Sequence, residues 1–258
     1  MKGSSKKTFM SFIKNIDKAI EMHKRPKGAG EFHNVPFSAY IGDLVYGAND
    51  GIITTFAVVA GVSGADLDVR IVIILGCANL VADGVSMAFG NYLGTKSDQE
   101  LARRLREEEE WEVANIPDYE RKEIEAIYKA KGFEGRDLER AVDIITSDKK
   151  RWVEVMMKEE HAIFADENPR APIKNAFATL VAFVGAGAVP LLPYFFIRAN
   201  GNLFAFSIIF TAAALFTVGA LRSFIIKKMW VKAGAEMLIV GAIAAGIAYF
   251  IGEAMKHL

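Results

Sequence analysis

The sequence predicts an all-α integral membrane protein with five transmembrane helices and a three-helix cytoplasmic insert between the second and third. The chain has 258 residues, 52% of them hydrophobic, and five separate stretches are apolar over the length that crosses a bilayer, about 20 residues. Although the net charge is zero, the segment between Asp98 and Glu167 holds 21 acidic and 13 basic residues. An acidic, polar block is therefore set inside an apolar chain.

Composition also excludes some classes of protein. The single cysteine, Cys77, cannot form an internal disulfide, so the chain is no secreted disulfide scaffold. A net charge of zero gives no reason to expect nucleic acid as a partner. Residues 1–36 are not a secretory signal, because Lys14, Asp17 and Lys18 interrupt any apolar core. Their apolar residues recur at helical spacing among lysines, which predicts a basic amphipathic segment on a membrane surface.

The five apolar stretches justify the five spans. Those at 175–197 and 203–221 contain no Asp, Glu, Lys or Arg. One buried helix of a large soluble protein has a similar composition, but five in a chain of this length would leave too little protein to cover them. The predicted spans are 37–63, 71–94, 175–197, 203–221 and 233–251. The first two form one membrane region, 37–95, and the last three form a second, 171–258.

The charges of the loops predict the orientation. The N-terminal tail carries 8 Lys and Arg residues and the loop at 222–232 carries four, whereas the loops on the other side carry three. By the positive-inside rule, the N-terminus and the insert are cytoplasmic, and the C-terminus lies on the opposite side.

The acidic insert, residues 96–170, shows helical periodicity with clear breaks. Pro117 ends one helix and Asp118 caps the next, whereas Gly132 and Gly135 mark a second break. The predicted insert helices run over about 97–114, continuing out of the second span, 118–131 and 136–164.

Two carboxylates lie within the first span, where an ionised side chain costs several kcal/mol. Asp43 and Asp50 are seven residues apart, so they share one helix face with Gly47 and Thr54. Asp50 lies deep in the span, which favours a functional role. For Asp43 an alternative stays open, in which it lies near the interface and reaches water.

The second span carries a matching polar face. Asn79, Asp83 and Met87 are spaced by four residues and share one side of the helix. Two such faces opposite one another would form an oxygen-lined path with one thioether, which suits divalent transition metals. Carboxylates in a span can also carry protons, because desolvation favours the neutral acid.

Carboxylates and two thioethers occur at helical spacing on all three predicted insert helices. A compact bundle would direct them at a shared centre, as in carboxylate-rich iron proteins. The alternative is a solvated acidic face with ordinary core methionines. Four consecutive glutamates at 107–110 favour cation binding, since such a run repels itself. The candidate ligands are Glu109, Glu112, Glu120, Glu123, Met156, Met157 and Glu160.

The first two spans resemble those of the vacuolar iron transporter family. Their motifs read GDLVYGANDGIITTFAVVAG at 42–61 and GCANLVADGVSMAFGNYLGTKS at 76–97. The similarity covers about 41–252 and identifies a member that carries the cytoplasmic metal-binding insert. Its further motifs are VMMKEEHAI at 155–163, PLLP at 190–193 and GAEMLIVGAIAAGIAYFIG at 234–252.

The resemblance implies a homodimer with a pathway between the two copies of transmembrane helix 1. It also implies export of Fe²⁺, and often Mn²⁺, from the cytoplasm in exchange for protons. Asp50 and Met87 match the family's ligands within the membrane, and the seven insert residues match its cytoplasmic metal-binding domain. Asp43 and Asp83 are assigned to the transport pathway on burial and spacing. His161 follows the acidic pair and could be a spare ligand, but we expect it to be a surface residue.

Two other classes of function stay open. An iron-oxidising membrane enzyme is disfavoured because no Glu-x-x-His pair occurs, and a membrane-anchored storage module has no need of Asp50 within a span. We therefore expect a transporter and no enzyme. Oxygen-rich sites discriminate poorly among divalent metals, so Co²⁺ and Zn²⁺ are further candidate cargo. The expected location is the plasma membrane in a prokaryote or the vacuolar membrane in a eukaryote.

Overall fold

The computed structural model of the chain describes residues 41–163, 168–197, 202–226 and 229–256, and every regular element in these ranges is helical. The predicted amphipathic segment within residues 1–36 lies outside the described residues. In chain order the helices are α1 (Ile41–Gly64), α2 (Val69–Asn115), α3 (Pro117–Ala130), α4 (Gly135–Thr146), α5 (Lys149–Glu159), α6 (Ala171–Gly187), α7 (Leu192–Phe196), α8 (Leu203–Ile226) and α9 (Trp230–Met255), with a 3₁₀ turn at Val189–Leu191.

Five of the described stretches are long and apolar enough to cross a membrane. They are α1, the first part of α2, α6 together with α7, α8, and α9. The prediction of an all-α membrane protein with five spans is confirmed. The third span is interrupted: Pro190 lies in the 3₁₀ turn, and Pro193 lies in the first turn of the short α7. The buried hydroxyl of Ser207 donates to the Pro190 carbonyl at 2.7 Å.

The second span continues without a break into the acidic insert. Asp68 caps the start of α2 by accepting a hydrogen bond from the backbone N–H of Arg70 at 2.7 Å. The helix then runs for 47 residues to Asn115, a length of about 70 Å. Pro117 begins α3 directly afterwards. The first insert helix and the second span are therefore one continuous helix.

The predicted third insert helix at 136–164 is wrong, because the structure has two helices there, α4 and α5. The chain turns at Ser147 and Asp148. The Asp148 carboxylate accepts a hydrogen bond from the Arg151 N–H at 2.8 Å and caps α5. A side chain that caps a new helix competes with continuation of the old one. The insert therefore consists of four helical segments, the end of α2 and helices α3 to α5.

A hydrophobic core unites the four segments of the insert. Arg121 of α3 reinforces it by bonding to Asp143 and to the hydroxyl of Thr146 on α4. Lys131, which follows α3, pairs with Glu159 at the end of α5. The core fixes the faces of α2, α3 and α5 toward one another. Its buried residues are Val113, Ile124, Leu138, Val142, Ile145, Trp152, Val153, Met156 and Met157.

Close backbone contacts hold α1 against α6 and α9. A Cβ atom added at Gly51 would lie 2.3 Å from the carbonyl oxygen of Phe183 on α6. At the other end of α1, a Cβ atom at Gly252 of α9 would lie 2.0 Å from the Gly61 carbonyl oxygen. Small residues at helix crossings permit this approach within a membrane. The polar residues of α1 are thereby held at a fixed depth relative to α6.

We expect Gly51→Ala to lower the melting temperature of the detergent-purified chain by several degrees or to prevent its recovery as monodisperse protein. The added methyl group must displace backbone atoms of α6, and overpacking of this kind costs about 1–3 kcal/mol or more. Gly246→Ala is the matched control, because its Cβ atom would meet no described atom within 4 Å. Equal melting temperatures for the native chain and Gly51→Ala would contradict the close crossing.

Candidate metal sites

The acidic insert brings carboxylates from three helical segments to one place. One carboxylate oxygen each from Glu109, Glu112 and Glu120 can be chosen so that all lie within 4.8 Å of one another, and Glu109, Glu160 and His161 form a second such group. Glu109 belongs to both, so the two groups form one continuous site. We call it the glutamate cluster. It joins the end of α2, the first turn of α3 and the end of α5, which the core beneath it holds together.

Two carboxylates of the glutamate cluster are buried without a full set of partners. Glu109 and Glu120 are each 2% exposed. The Oε2 atom of each has no hydrogen-bond partner among the described residues. An ionised carboxylate in such a place costs several kcal/mol unless a cation or a proton compensates it. A divalent cation bound between these oxygens would supply the missing partner, so the donor set fits a hard or borderline metal ion.

His161 belongs to the glutamate cluster and is partly buried there. Its Nε2 atom lies 2.8 Å from Oε1 of Glu109, and its side chain is 21% exposed. His161 lies two residues beyond the end of α5, where the chain no longer has helical periodicity. Helical spacing therefore could not place its side chain, and only its position directly after Glu160 indicated a ligand.

Burial and mutual repulsion raise the affinity of the glutamate cluster for protons. Burial, followed by repulsion from Glu123, raises the pKa of Glu120 to about 7. Burial also raises the pKa of Glu109, although the hydrogen bond with His161 opposes this. The pKa of Glu123 is raised by burial and then by Glu160. Protons and metal ions therefore compete for the same oxygens near neutral pH.

We expect the metal-free chain to lose thermal stability as the pH rises from about 4.5 through about 7. In this interval folded Glu120, whose pKa is raised from 4.5 to about 7, holds a proton that the unfolded chain has released. Rising pH therefore favours unfolding. Thermal unfolding in the presence of a chelator would measure the trend, and Glu120→Gln should flatten it. A native chain and a Glu120→Gln variant with the same pH dependence would contradict this assignment.

The other predicted insert ligands occupy two different environments. The structure places Met156 and Met157 in the hydrophobic core of the insert, 0% and 3% exposed respectively. Glu123 lies at the exposed side, close enough to Glu160 for the two carboxylates to repel one another. The carboxylates therefore form the polar surface of the cluster, whereas the thioethers pack in the core of the same bundle.

Within the membrane, the structure brings Asp50 of α1 and Asp83 of α2 into one electrostatic environment. Both are half-buried, and they lie close enough for Asp83 to repel a charge on Asp50. The Thr54 hydroxyl donates to the Asp50 backbone carbonyl at 2.8 Å, so it does not occupy the carboxylate. Met87 packs at the edge of the apolar cluster that joins α1, α2 and α6. Asp50 and Asp83, one from each predicted polar face, are thus within electrostatic range of one another.

Asp43 is tied to a hydrogen-bond network that sequence analysis missed. The Asn91 amide lies 2.7 Å from the Asp43 carboxylate and 2.7 Å from the hydroxyl of Thr179 on α6. Thr95 donates to the Asn91 side-chain oxygen at 3.1 Å, and the Asn175 amide lies 3.4 Å from Thr95. The network connects α1, α2 and α6 at one level. Positions 91 and 95 continue the four-residue spacing of positions 79, 83 and 87, and that spacing was the available signal.

Comparison with known proteins gives a family match that spans both the acidic insert and the membrane helices. The model of the VIT family matches residues 41–253. A Toxoplasma gondii protein named vacuolar iron transporter is 32% identical over 234 residues, which are 88% of this chain and 78% of that protein. Proteins named vacuolar iron transporter 1 are 32% identical over 215 residues in Eucalyptus grandis and 30% identical over 216 residues in Arabidopsis thaliana. Each of these two matches covers 83% of this chain and 86% of the relative.

Proposed function

This chain belongs to the VIT family, and from that premise we propose that it exports Fe²⁺ from the cytoplasm in exchange for protons. The observation that carries the proposal is the pair formed by Asp50 and Asp83 inside apolar spans. A carboxylate pair within apolar spans is energetically costly, and ionisable side chains that occur there typically mark an ion pathway. Mn²⁺ is a second proposed cargo, and Co²⁺ and Zn²⁺ can use the same oxygen donors.

The proposed path begins at the acidic insert. The net charge of −8 between Asp98 and Glu167 raises the local concentration of divalent cations, and the glutamate cluster collects them. The ion then binds within the membrane at Asp50 and Met87, with Asp43 and Asp83 along the pathway. Protonation of these carboxylates from the far side weakens metal binding and releases the ion. An inward proton gradient therefore drives metal outward.

The proposed orientation places the N-terminus and the acidic insert in the cytoplasm and the C-terminus on the opposite side, as the distribution of Lys and Arg favours. At the end of the spans away from the insert, Lys256 pairs with Asp66 at 3.0 Å, so the end of α9 lies beside the α1–α2 turn. The membrane would be the plasma membrane of a prokaryote or the vacuolar membrane of a eukaryote.

We also propose that the chain acts as a homodimer through α1. Asp50 and Asp83 are only half-buried in the single chain. A second copy of α1 placed against this face would exclude water and double the number of carboxylates around the ion. The larger number of carboxylate oxygens suits divalent cations, which bind several oxygen donors at once.

The native chain in liposomes tests the transport proposal. The vesicles contain an Fe²⁺-sensitive dye and a pH dye, and the signal comes from chains with the insert facing outward. We expect Fe²⁺ to enter while protons leave, and an acidic vesicle interior to accelerate uptake. Metal binding with no flux would instead support a membrane-anchored storage module. Oxygen consumption that follows Fe²⁺ addition would support an iron-oxidising enzyme.

A further inference from the structure

A basic cavity lies where the membrane part of α2 ends and α6 begins. Its volume is about 460 Å³. Three cationic side chains of α2, those of Lys96, Arg103 and Arg106, line one wall, and Pro172 and Ile173 of the first turn of α6 line the other. Basic walls on one side and a helix start on the other give the cavity a positive potential.

The start of α6 adds to this potential. The residue before the helix, Arg170, provides no side-chain hydrogen bond to the first turn, so no side chain caps α6. The Ala171 N–H is bonded to the Asn168 carbonyl at 2.9 Å and Pro172 has no N–H, so α6 contributes through the positive end of its helix dipole. One acidic residue, Glu100, also lines the cavity and lies 3.8 Å from Lys96. Among the described lining residues, three side chains are cationic and one is acidic. Arg103 also pairs with Glu107 at 4.0 Å, but an exposed pair of this kind contributes little.

The cavity lies at the depth of lipid headgroups. On its membrane side, α2 presents exposed Phe89 and Leu93, and α6 presents exposed Ile173 and Phe177. On its other side, Lys96 begins the charged part of α2. Lys96 lies 6.0 Å from the ring centre of Tyr92, which also lines the cavity, and tyrosines favour this interfacial level.

We propose that this cavity binds the phosphate group of an anionic phospholipid, with the acyl chains along the exposed apolar faces of α2 and α6. Phosphate is the anion that every bilayer presents at this depth, and basic pockets at the cytoplasmic surface recognise it. The same phosphate chemistry is available from inorganic phosphate in solution. The position of the cavity, between apolar and charged surfaces, favours the lipid.

Native mass spectrometry of the detergent-purified full chain tests the proposal. The probes are dioleoyl phosphatidylglycerol, dioleoyl phosphatidylcholine and inorganic phosphate. We expect the native chain to retain phosphatidylglycerol in preference to phosphatidylcholine. The double variant Lys96→Gln/Arg103→Gln should bind phosphatidylglycerol about fivefold more weakly for each charge removed. Glu100→Gln should have the opposite effect and bind phosphatidylglycerol more tightly.

Two controls keep the test independent of folding and of total charge. Lys129→Gln/Arg140→Gln removes one lysine and one arginine from exposed positions of α3 and α4 and should leave lipid binding unchanged. The exchanges Lys96→Arg and Arg103→Lys keep the charge and should keep the lipid. Elution volume and melting temperature show that each variant is folded.

Three results would overturn the proposal. The first is equal retention of phosphatidylglycerol and phosphatidylcholine by the native chain. The second is equal loss of phosphatidylglycerol in the cavity variant and in the control variant. The third is binding of inorganic phosphate without any preference for the anionic lipid, which would assign the cavity to a soluble anion.

Discussion

Asp50→Asn is expected to reduce Fe²⁺ uptake into liposomes about 100-fold and to remove the accompanying proton flux. The change keeps the size of the side chain but removes an anionic oxygen, and a charged interaction of this kind contributes about 1.5–3 kcal/mol. An amide also cannot exchange a proton near neutral pH, so the proposed antiport would lose its proton carrier. The Fe²⁺-sensitive dye and the pH dye report the two losses separately.

The matched control for Asp50 is Asp66→Asn. Asp66 is exposed at the α1–α2 turn, and its φ of 56° is a conformation that asparagine tolerates. Its ion pair with Lys256 is exposed and contributes little. Asp66→Asn should therefore transport at the native rate. Native transport by Asp50→Asn would move the pathway away from α1.

Glu109→Gln/Glu120→Gln is expected to weaken metal binding at the acidic insert about 100-fold while it stabilises the metal-free chain. Binding loses two anionic donors, each worth a factor of about ten or more. Folding no longer has to bury two carboxylates whose Oε2 atoms lack partners in the described part of the chain. Calorimetric titration with Mn²⁺ measures the first effect, and thermal unfolding with chelator measures the second.

Glu110→Gln/Glu125→Gln serves as the control, because these two glutamates are exposed. It makes the same change in net charge and should alter neither quantity. Transport at saturating Fe²⁺ should persist in Glu109→Gln/Glu120→Gln, since the proposed site at Asp50 is intact. A double variant that binds Mn²⁺ as tightly as the native chain would show that the glutamate cluster is not a metal site.

The spans were predictable because hydrocarbon tolerates so few charged side chains, and this constraint acts on every residue of a stretch. The division between α4 and α5 was not predicted, since it depends on one local competition at Asp148. Hydrophobic periodicity continues on both sides of that residue, so the pattern of apolar positions contains no sign of the turn. Helix ends are thus less visible than helix faces.

The candidate site residues were likewise predictable only in part. Helical spacing placed Glu109, Glu112 and Glu120 on plausible faces, and the fold brings them together. It did not reveal which carboxylates are buried, because burial depends on how helices distant in sequence pack. The Asn91 network depends on the same long-range packing, since its partners Asp43 and Thr179 are 48 and 88 residues away.

The unbroken α2 helix joins the second span directly to the glutamate cluster. From Asp83 to Glu109 the helix advances 26 residues, or about 39 Å. A rigid tilt of about 5° at the level of Asp83 would therefore displace Glu109 by roughly 3 Å. Because the hydrophobic core of the insert packs against the same helix, a tilt of α2 would carry the whole glutamate cluster with it, and the position of the cluster above the membrane would follow the tilt of the second span.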